Sequence, residues 1–330
     1  MKELKVLHVT NAYPSENSPI RGIFVKEQID ALASFDDITV DRYILDVPKR
    51  GVVSYWDAFL YLRRLQKEYN IIHCHHILTG FIGFISVPKS KLLISFMSDG
   101  KNNLKGKLSF FGGFLFWLLT KYVRWGIYKS SVPSFGNFSE KELIPNGVNI
   151  KSFPVMSRAD AKARIGLSAN KIYLLFVSAN SIRKEKRYDI FMSVVEELKC
   201  RGLPVEPLLM CNVPRSSVVY YFNAASCHLL VSDFEGSPNS VKESLVCGTP
   251  VVSRDVGGVK NILSATYSKY VLNTLDVKLV ADVVVEAISE FETMEKRLEL
   301  RNHMKHSEYT SEFAALRVKD YYRRIADAQI

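Results

Sequence analysis

Short runs of consecutive apolar residues alternate along this chain with apolar stripes spaced three and four apart, and the alternation happens twice. Leu4 to Thr10 is an apolar run ending at Asn11, followed by a loop that holds Pro14 and Pro19. Phe24, Val25, Ile29 and Leu32 fall on one face of a helix. Ile38, Val40 and Ile44 alternate as a strand does, and Trp56, Phe59, Leu62, Leu65 and Tyr69 predict a helix with one apolar face. Ile71 to Cys74 and Leu92 to Ser95 have the continuous apolar character of buried strands. Strands and helices alternating at this spacing predict an α/β protein with parallel, doubly wound sheets.

The sharpest break is Ile144-Pro145-Asn146-Gly147-Val148-Asn149, an Asn-Gly turn preceded by proline. The alternation restarts at Ile172 to Val177, with a helix over Asp189–Arg201 and a strand over Val205–Cys211. A domain boundary near residue 150 follows. The length of 330 residues agrees, because single cores stop growing at roughly 250–300 residues. Ser311 to Ala328 reads as a charged amphipathic helix rich in aromatics, and no internal repeat is visible.

Composition narrows the class without naming it. Hydrophobic residues at 47% and charged residues at 24% belong to an ordinary globular protein. Five scattered cysteines read as reduced, buried thiols rather than a disulfide framework, and the lack of a CxxC pair argues against a structural zinc site. Met1 to Val6 runs into a strand pattern with no signal-peptide core, so a cytoplasmic location is expected. The net charge of +10 asks for an acidic partner: nucleic acid, anionic lipid or a phosphorylated small molecule. No helix-turn-helix, RNA-recognition or zinc signature favours nucleic acid. Leu108 to Leu119 (LSFFGGFLFWLL) is almost wholly apolar but too short to span a bilayer. Lys101, Lys105 and Lys107 precede it, and Lys121, Arg124 and Lys129 follow. It reads either as a core helix or as an interfacial helix whose basic flanks gather anionic lipid.

The stretch richest in chemistry is Leu229 to Val252, LLVSDFEGSPNSVKESLVCGTPVV. A buried strand leads through a short loop into a helix, with Ser237 as the expected N-cap and Pro238 at the first helical position. The N–H groups of Asn239, Ser240 and Val241 then leave the helix N-terminus, a natural anion site. Glu235 in the loop and Glu243 in the helix flank that site. Carboxylates beside a phosphate are unfavourable unless they accept hydrogen bonds from something else, and sugar hydroxyls fit.

In its full order, with EGSPN, the second glutamate, CGTPVV and VGG, this segment resembles the signature of the family 4 glycosyltransferases, with its E-x7-E motif. Tyr220 to Ser226 resembles the family's preceding helix, Ile144 to Asn149 its "IPNGVD" linker, and Arg21 to Gln28, with Gly22, its loop and helix over the diphosphate. The resemblance implies a GT-B fold: two Rossmann-like doubly wound domains facing a cleft. Residues 1–150 would bind the acceptor, joined by the C-terminal helix at about 311–330, and residues 151–310 would bind the nucleotide-sugar donor. It further implies retaining transfer of a hexosyl group, without metal or other cofactor, to a glycan or polyprenyl-linked acceptor in surface polysaccharide synthesis. Lys186 and Arg183 would grip the diphosphate, and Gly236 to Val241 would lie against the donor. Glu235 would bind the sugar hydroxyls as the catalytic carboxylate, and Glu243 would accept from the ribose. No enzymatic nucleophile stands out, so the implied mechanism is front-face, with the leaving diphosphate assisting deprotonation of the acceptor.

The chain departs from the family at Phe96, where many relatives place a histidine near the sugar. His73, His75 and His76 sit at a strand end and are structural or cleft-lining candidates. The chain also lacks one αβ unit between Met210 and Pro214, where relatives are longer, which predicts a second sheet one strand smaller. A nucleotide-sugar epimerase and a non-catalytic GT-B binding subunit are the alternative readings, and an anionic membrane surface is a candidate partner.

Overall fold

The computed structural model describes residues 3–16, 18, 21–96, 108–133, 136–178 and 182–329, with backbone only at 108–110. The chain divides into two compact units, residues 1–147 with 311–330, and residues 148–310.

The first unit begins with β1 (Leu4–Thr10), α1 (Ile23–Leu32), β2 (Ile38–Ile44), a one-turn α2 (Val47–Arg50), α3 (Val53–Leu65) and β3 (Ile71–His75). It continues with α4 (Ile77–Ser86), β4 (Leu92–Phe96), α5 (Leu108–Tyr122), β5 (Trp125–Tyr128) and β6 (Glu140–Leu143). All six strands are parallel, in the order β2-β1-β3-β4-β5-β6. Because side chains alternate along a strand, each face of the sheet has its own core. Leu7, Val9, Ile72 and Ile94 point to one face, where Leu62 of α3, Ile77 of α4 and Leu115, Phe116 and Leu119 of α5 cover them. Val6, Ile71, Leu93 and Ile127 point to the other, covered by Leu32 of α1 and by the last helix of the chain.

The second unit comprises α6 (Arg158–Arg164), β7 (Ile172–Ser178), α7 (Tyr188–Cys200), β8 (Val205–Cys211), α8 (Arg215–Ala224), β9 (Cys227–Leu230), α9 (Asn239–Val246), β10 (Val251–Arg254), α10 (Val259–Leu263), β11 (Val271–Leu272), α11 (Val277–Glu290) and α12 (Met294–Lys305). Its five parallel strands run β11-β10-β9-β7-β8, one fewer than in the first sheet. The chain then returns as α13 (Ser311–Asp327), whose Ala315, Val318, Tyr321 and Tyr322 are buried against the first sheet. Lys319 and Arg323 of α13 both pair with Asp37, and these contacts hold its carboxyl at about 2.

One expected face is wrong. Trp56, placed by its spacing on the buried stripe of α3, is 61% exposed, and Ser54, Ala58 and Leu62 face the sheet instead. Spacings of three and four fit both stripes, and the small Ser54 and Ala58 let the helix approach the strands where a tryptophan would hold it off.

Candidate active site

In an open parallel sheet, ligands bind at the carboxyl ends of the strands where the chain reverses its direction of winding. In the second unit the chain leaves β7 to form β8 on one side and later returns to form β9 on the other. The loops after β7 and β9 therefore flank this reversal point. They are tied together: the Asp233 amide donates to the Glu185 carbonyl at 2.8 Å, and Arg187 reaches Asp233 at 3.4 Å. The next loop is tied in as well, with the Gly258 amide donating to the Gly236 carbonyl at 2.7 Å. Gly257, with φ +56°, permits this approach, because a Cβ there would lie 2.2 Å from the Gly236 oxygen.

Lys186 and Glu235 meet at this junction. Lys186 ends a 3-10 turn after β7, and its Nζ donates to Glu235 Oε1 at 2.6 Å. Ser232 Oγ donates to the same oxygen at 2.8 Å. Both side chains of the ion pair are only 13–14% exposed, so the charges are stronger than a surface pair yet still reachable from solvent. Arg183 turns away to Glu185, 3.1 Å distant, and is half exposed. It lines, with Ile182, Arg187, Tyr188 and Asp233, an open groove of about 600 Å³. Arg187 adopts a left-handed conformation, φ +53°, and both Arg187 and Arg254 reach Asp233. Asn180 and Ser181, in the same loop, lie outside the described residues.

The helix after Glu235 starts one residue later than its sequence suggests. Pro238, in extended conformation, is the N-cap of α9, and Ser237 makes no capping hydrogen bond. Proline lacks an N–H, so it is as harmless at the cap as at the first helical position, and its extended backbone leaves Ser237 one residue out of reach. The first-turn residues are nonetheless Asn239, Ser240 and Val241, as expected. Ser237 Oγ is buried without a partner among the described residues. Glu243, 10% exposed, is paired with Arg215 at 2.7 Å, the first residue of α8. Lys242 is fully buried behind the helix start, with Tyr309's ring 5.4 Å from its ammonium, and burial pushes it down to about 7 against the opposing pull of Glu243. Sequence reasoning missed Arg215, Ser232 and Lys242. Lys242 lies inside the motif, whereas Arg215 is 28 residues from its partner and left no local signal.

The first unit reverses its winding between β1 and β3. Gly22 is there, the left-handed N-cap of α1 at φ +66°, where a Cβ would collide with the Ala12 carbonyl at 2.1 Å. Phe96 is fully buried against Phe116, Tyr128 and Phe138, so this position is core and carries no polar group towards the strand ends. His8, His73 and His75 form a buried chain instead. Ser95 Oγ meets His73 Nε2 at 2.6 Å, and His73 Nδ1 meets Tyr322 OH at 2.7 Å. Tyr322 OH meets His8 Nε2 at 3.1 Å, and His8 Nδ1 meets His75 Nε2 at 2.8 Å. Ligand atoms of the three histidines lie within 4.8 Å of one another. The 2.8 Å nitrogen pair is a shared proton, since two nitrogens about 2.0–2.1 Å from one tetrahedral ion stand farther apart. Burial, helped by neighbouring positive charge on Lys129, pushes His8 down to about 3 and holds His73 and His75 well below the usual imidazole range.

Comparison with known proteins fits this geometry. Residues 201–309, which carry β9, Glu235, α9 and Glu243, match the family described as Glycosyl transferases group 1. A D-inositol 3-phosphate glycosyltransferase of Thermobifida fusca (strain YX) is 26% identical over 178 residues, 44% of this chain and 41% of that protein. Its namesake from Nocardiopsis dassonvillei is 30% identical over 151 residues, 36% and 35% of the respective chains. The chain thus matches about two fifths or less of these relatives' length. Among solved structures, a sucrose-phosphate synthase from Thermosynechococcus elongatus superposes with a TM-score of 0.76 at 16% identity, over 99% of this chain and 100% of the other. The catalytic domain of starch synthase IV from Arabidopsis thaliana, solved with ADP and acarbose, gives 0.71 at 12% identity, over 99% and 100%. HepE from Anabaena, in complex with UDP and glucose, gives 0.70 at 12% identity, over 98% and 100%. The fold is that of the GT-B glycosyltransferases, two Rossmann-like units of parallel sheet. The matched segment holds Glu235 and Glu243 of this site, whereas Lys186 lies ahead of it.

Proposed function

We propose that this chain is a retaining, metal-independent hexosyltransferase that takes its sugar from a nucleoside diphosphate donor held by the second unit. A glycan or lipid-linked glycan acceptor would bind the first unit, and surface polysaccharide synthesis is the setting proposed for it. The observation that carries the reading is the Lys186–Glu235 pair at the β7/β9 reversal point.

In the free protein Glu235 neutralises Lys186. A diphosphate brings more negative charge than one carboxylate, so it takes over the lysine and frees Glu235 for the hydroxyls of the donor sugar. The first-turn amides of α9 add partial positive charge. As the bond to the anomeric carbon breaks, charge grows on the leaving diphosphate, and a cation already in place stabilises it without rearrangement. The diphosphate oxygen, on the same face as the departing bond, takes the proton of the incoming hydroxyl, so configuration is retained. Glu235 supports the positive charge that develops on the sugar, and Glu243, steadied by Arg215, accepts from the ribose. Arg183, in the same loop as Lys186, completes the donor site of the second unit. The likeness to proteins solved with UDP or ADP supports a nucleoside diphosphate as the common element.

Thermal shift measurements test this with UDP, GDP, ADP, their hexosyl derivatives and uridine. At least one diphosphate should raise the Tm of the wild type. Lys186→Ala should weaken that nucleotide roughly 10- to 100-fold, on the scale of a lost charge-assisted contact, while binding of the bare nucleoside stays the same. Equal diphosphate affinity in both proteins removes Lys186 from the site.

A further inference from the structure

The three helices on one face of the first sheet present an apolar outer surface as well as an apolar inner one. Inward, α3 offers Ser54, Ala58 and Leu62, and α5 offers Leu115, Phe116 and Leu119. Outward, where polar residues normally face water, α3 carries Val53, Trp56 and Leu60 at 51–61% exposure. Along α5 the outward positions are Phe111, Phe114 and Trp117, at 44–49% exposure, and Ile85 at the end of α4 lies between the two at 43%. The rings are paired, Trp56 with Phe59 at 5.2 Å and Phe114 with Trp117 at 5.9 Å. A surface helix that is apolar on both sides has a second apolar environment.

Charge says which environment. The helices α3, α4 and α5 contain one carboxylate, Asp57, and Arg50 neutralises it at 2.6 Å. Arg63, Arg64, Lys89 and Lys121 stand exposed at the ends of these helices. The ammonium of Lys121 lies 4.8 Å over the Trp117 ring, and that of Lys89 lies 4.8 Å over Phe84 and 5.4 Å over Tyr122. These lysines lay their stems on apolar surface and keep the charge at its edge, as side chains do at a lipid headgroup boundary. A second copy of this face would bring like charges together. No described helix is long and apolar enough to cross a membrane.

We infer that the outer surface of α3, α4 and α5 is a docking face for an anionic lipid bilayer, with Trp56 and Trp117 entering the headgroup boundary. The inference goes beyond glycosyl transfer, and its test needs neither donor nor acceptor.

The three tryptophans provide the readout. Trp125 is buried under α13 and only 4% exposed, whereas Trp56 and Trp117 sit on the proposed face. Vesicles of phosphatidylglycerol and phosphatidylcholine should shift the emission of the full chain to the blue, and brominated acyl chains should quench it. Both effects should be weak with phosphatidylcholine alone and should fall steeply with salt. In Trp117→Phe, quenching of Trp56 should persist, showing that α3 enters the lipid together with α5. Lys89→Glu with Lys121→Glu changes only exposed side chains and should lower partitioning at least about 20-fold, with an unchanged circular dichroism spectrum. No emission shift, binding indifferent to salt or to charge reversal, or a stable dimer that buries these tryptophans each overturns the inference.

Discussion

Among the described residues, Glu235 receives hydrogen bonds from Lys186 and from Ser232, both on one oxygen, Oε1. That arrangement fixes the carboxylate before any sugar arrives. Replacing it by glutamine keeps the shape and removes the charge that would support an oxocarbenium-like transition state. Glu235→Gln should therefore fold normally and lose about two to three orders of magnitude in kcat, with a smaller change in KM. Steady-state kinetics check this, and near-normal turnover assigns the chemistry to another group. The glutamates, Lys186 and the first turn of α9 were legible because motif order and helix-start chemistry are local. Arg215 and the burial of Lys242 were not, since both depend on which elements pack together.

Among the elements, α13 has the most unusual attachment. Besides its apolar face, it is held by Tyr322 between His73 and His8, within a chain that runs on to His75 and Ser95. These imidazoles are neutral when folded and ordinary when unfolded. Below the usual value of 6.5 the unfolded chain binds protons that the folded one refuses, so the stability they confer is full above that pH and is lost as pH falls. At pH 5 His8 alone should cost about 2 kcal/mol relative to neutral pH. Urea unfolding at pH 7 and pH 5, followed by the tryptophan emission of the first unit, should show this loss, and His8→Gln should flatten the dependence. An unaltered midpoint in wild type between the two pH values contradicts it. The strands β1, β3 and β4 and the helix α13 were readable from periodicity, whereas the short α4, β5 and β6 were not read. The face of α3 was not, because Trp56 and Ala58 lie on overlapping stripes and only the clearance to the sheet chooses between them.

At the scale of the whole molecule, the two proposals would divide the excess of positive charge between two tasks, a diphosphate site in the second unit and a bilayer face on the first. If Lys186 and Arg183 supply the cations that a transferring diphosphate requires, no divalent ion is needed. Transfer should then continue undiminished, within about two-fold, in the presence of EDTA, and strict dependence on Mg²⁺ or Mn²⁺ in a radiolabelled transfer assay overturns that assignment.

The return of α13 to the first unit also sets an order of manufacture. The second unit is one continuous stretch, while the first must wait for the last segment of the chain to cover Val6, Ile71 and Leu93. At translation rates of about 5–20 residues per second, the roughly 160 intervening residues take on the order of 10–30 s to emerge. During that interval one side of the first sheet is covered by α1 but not by α13, an invitation to chaperones. The half made first is therefore the half finished last.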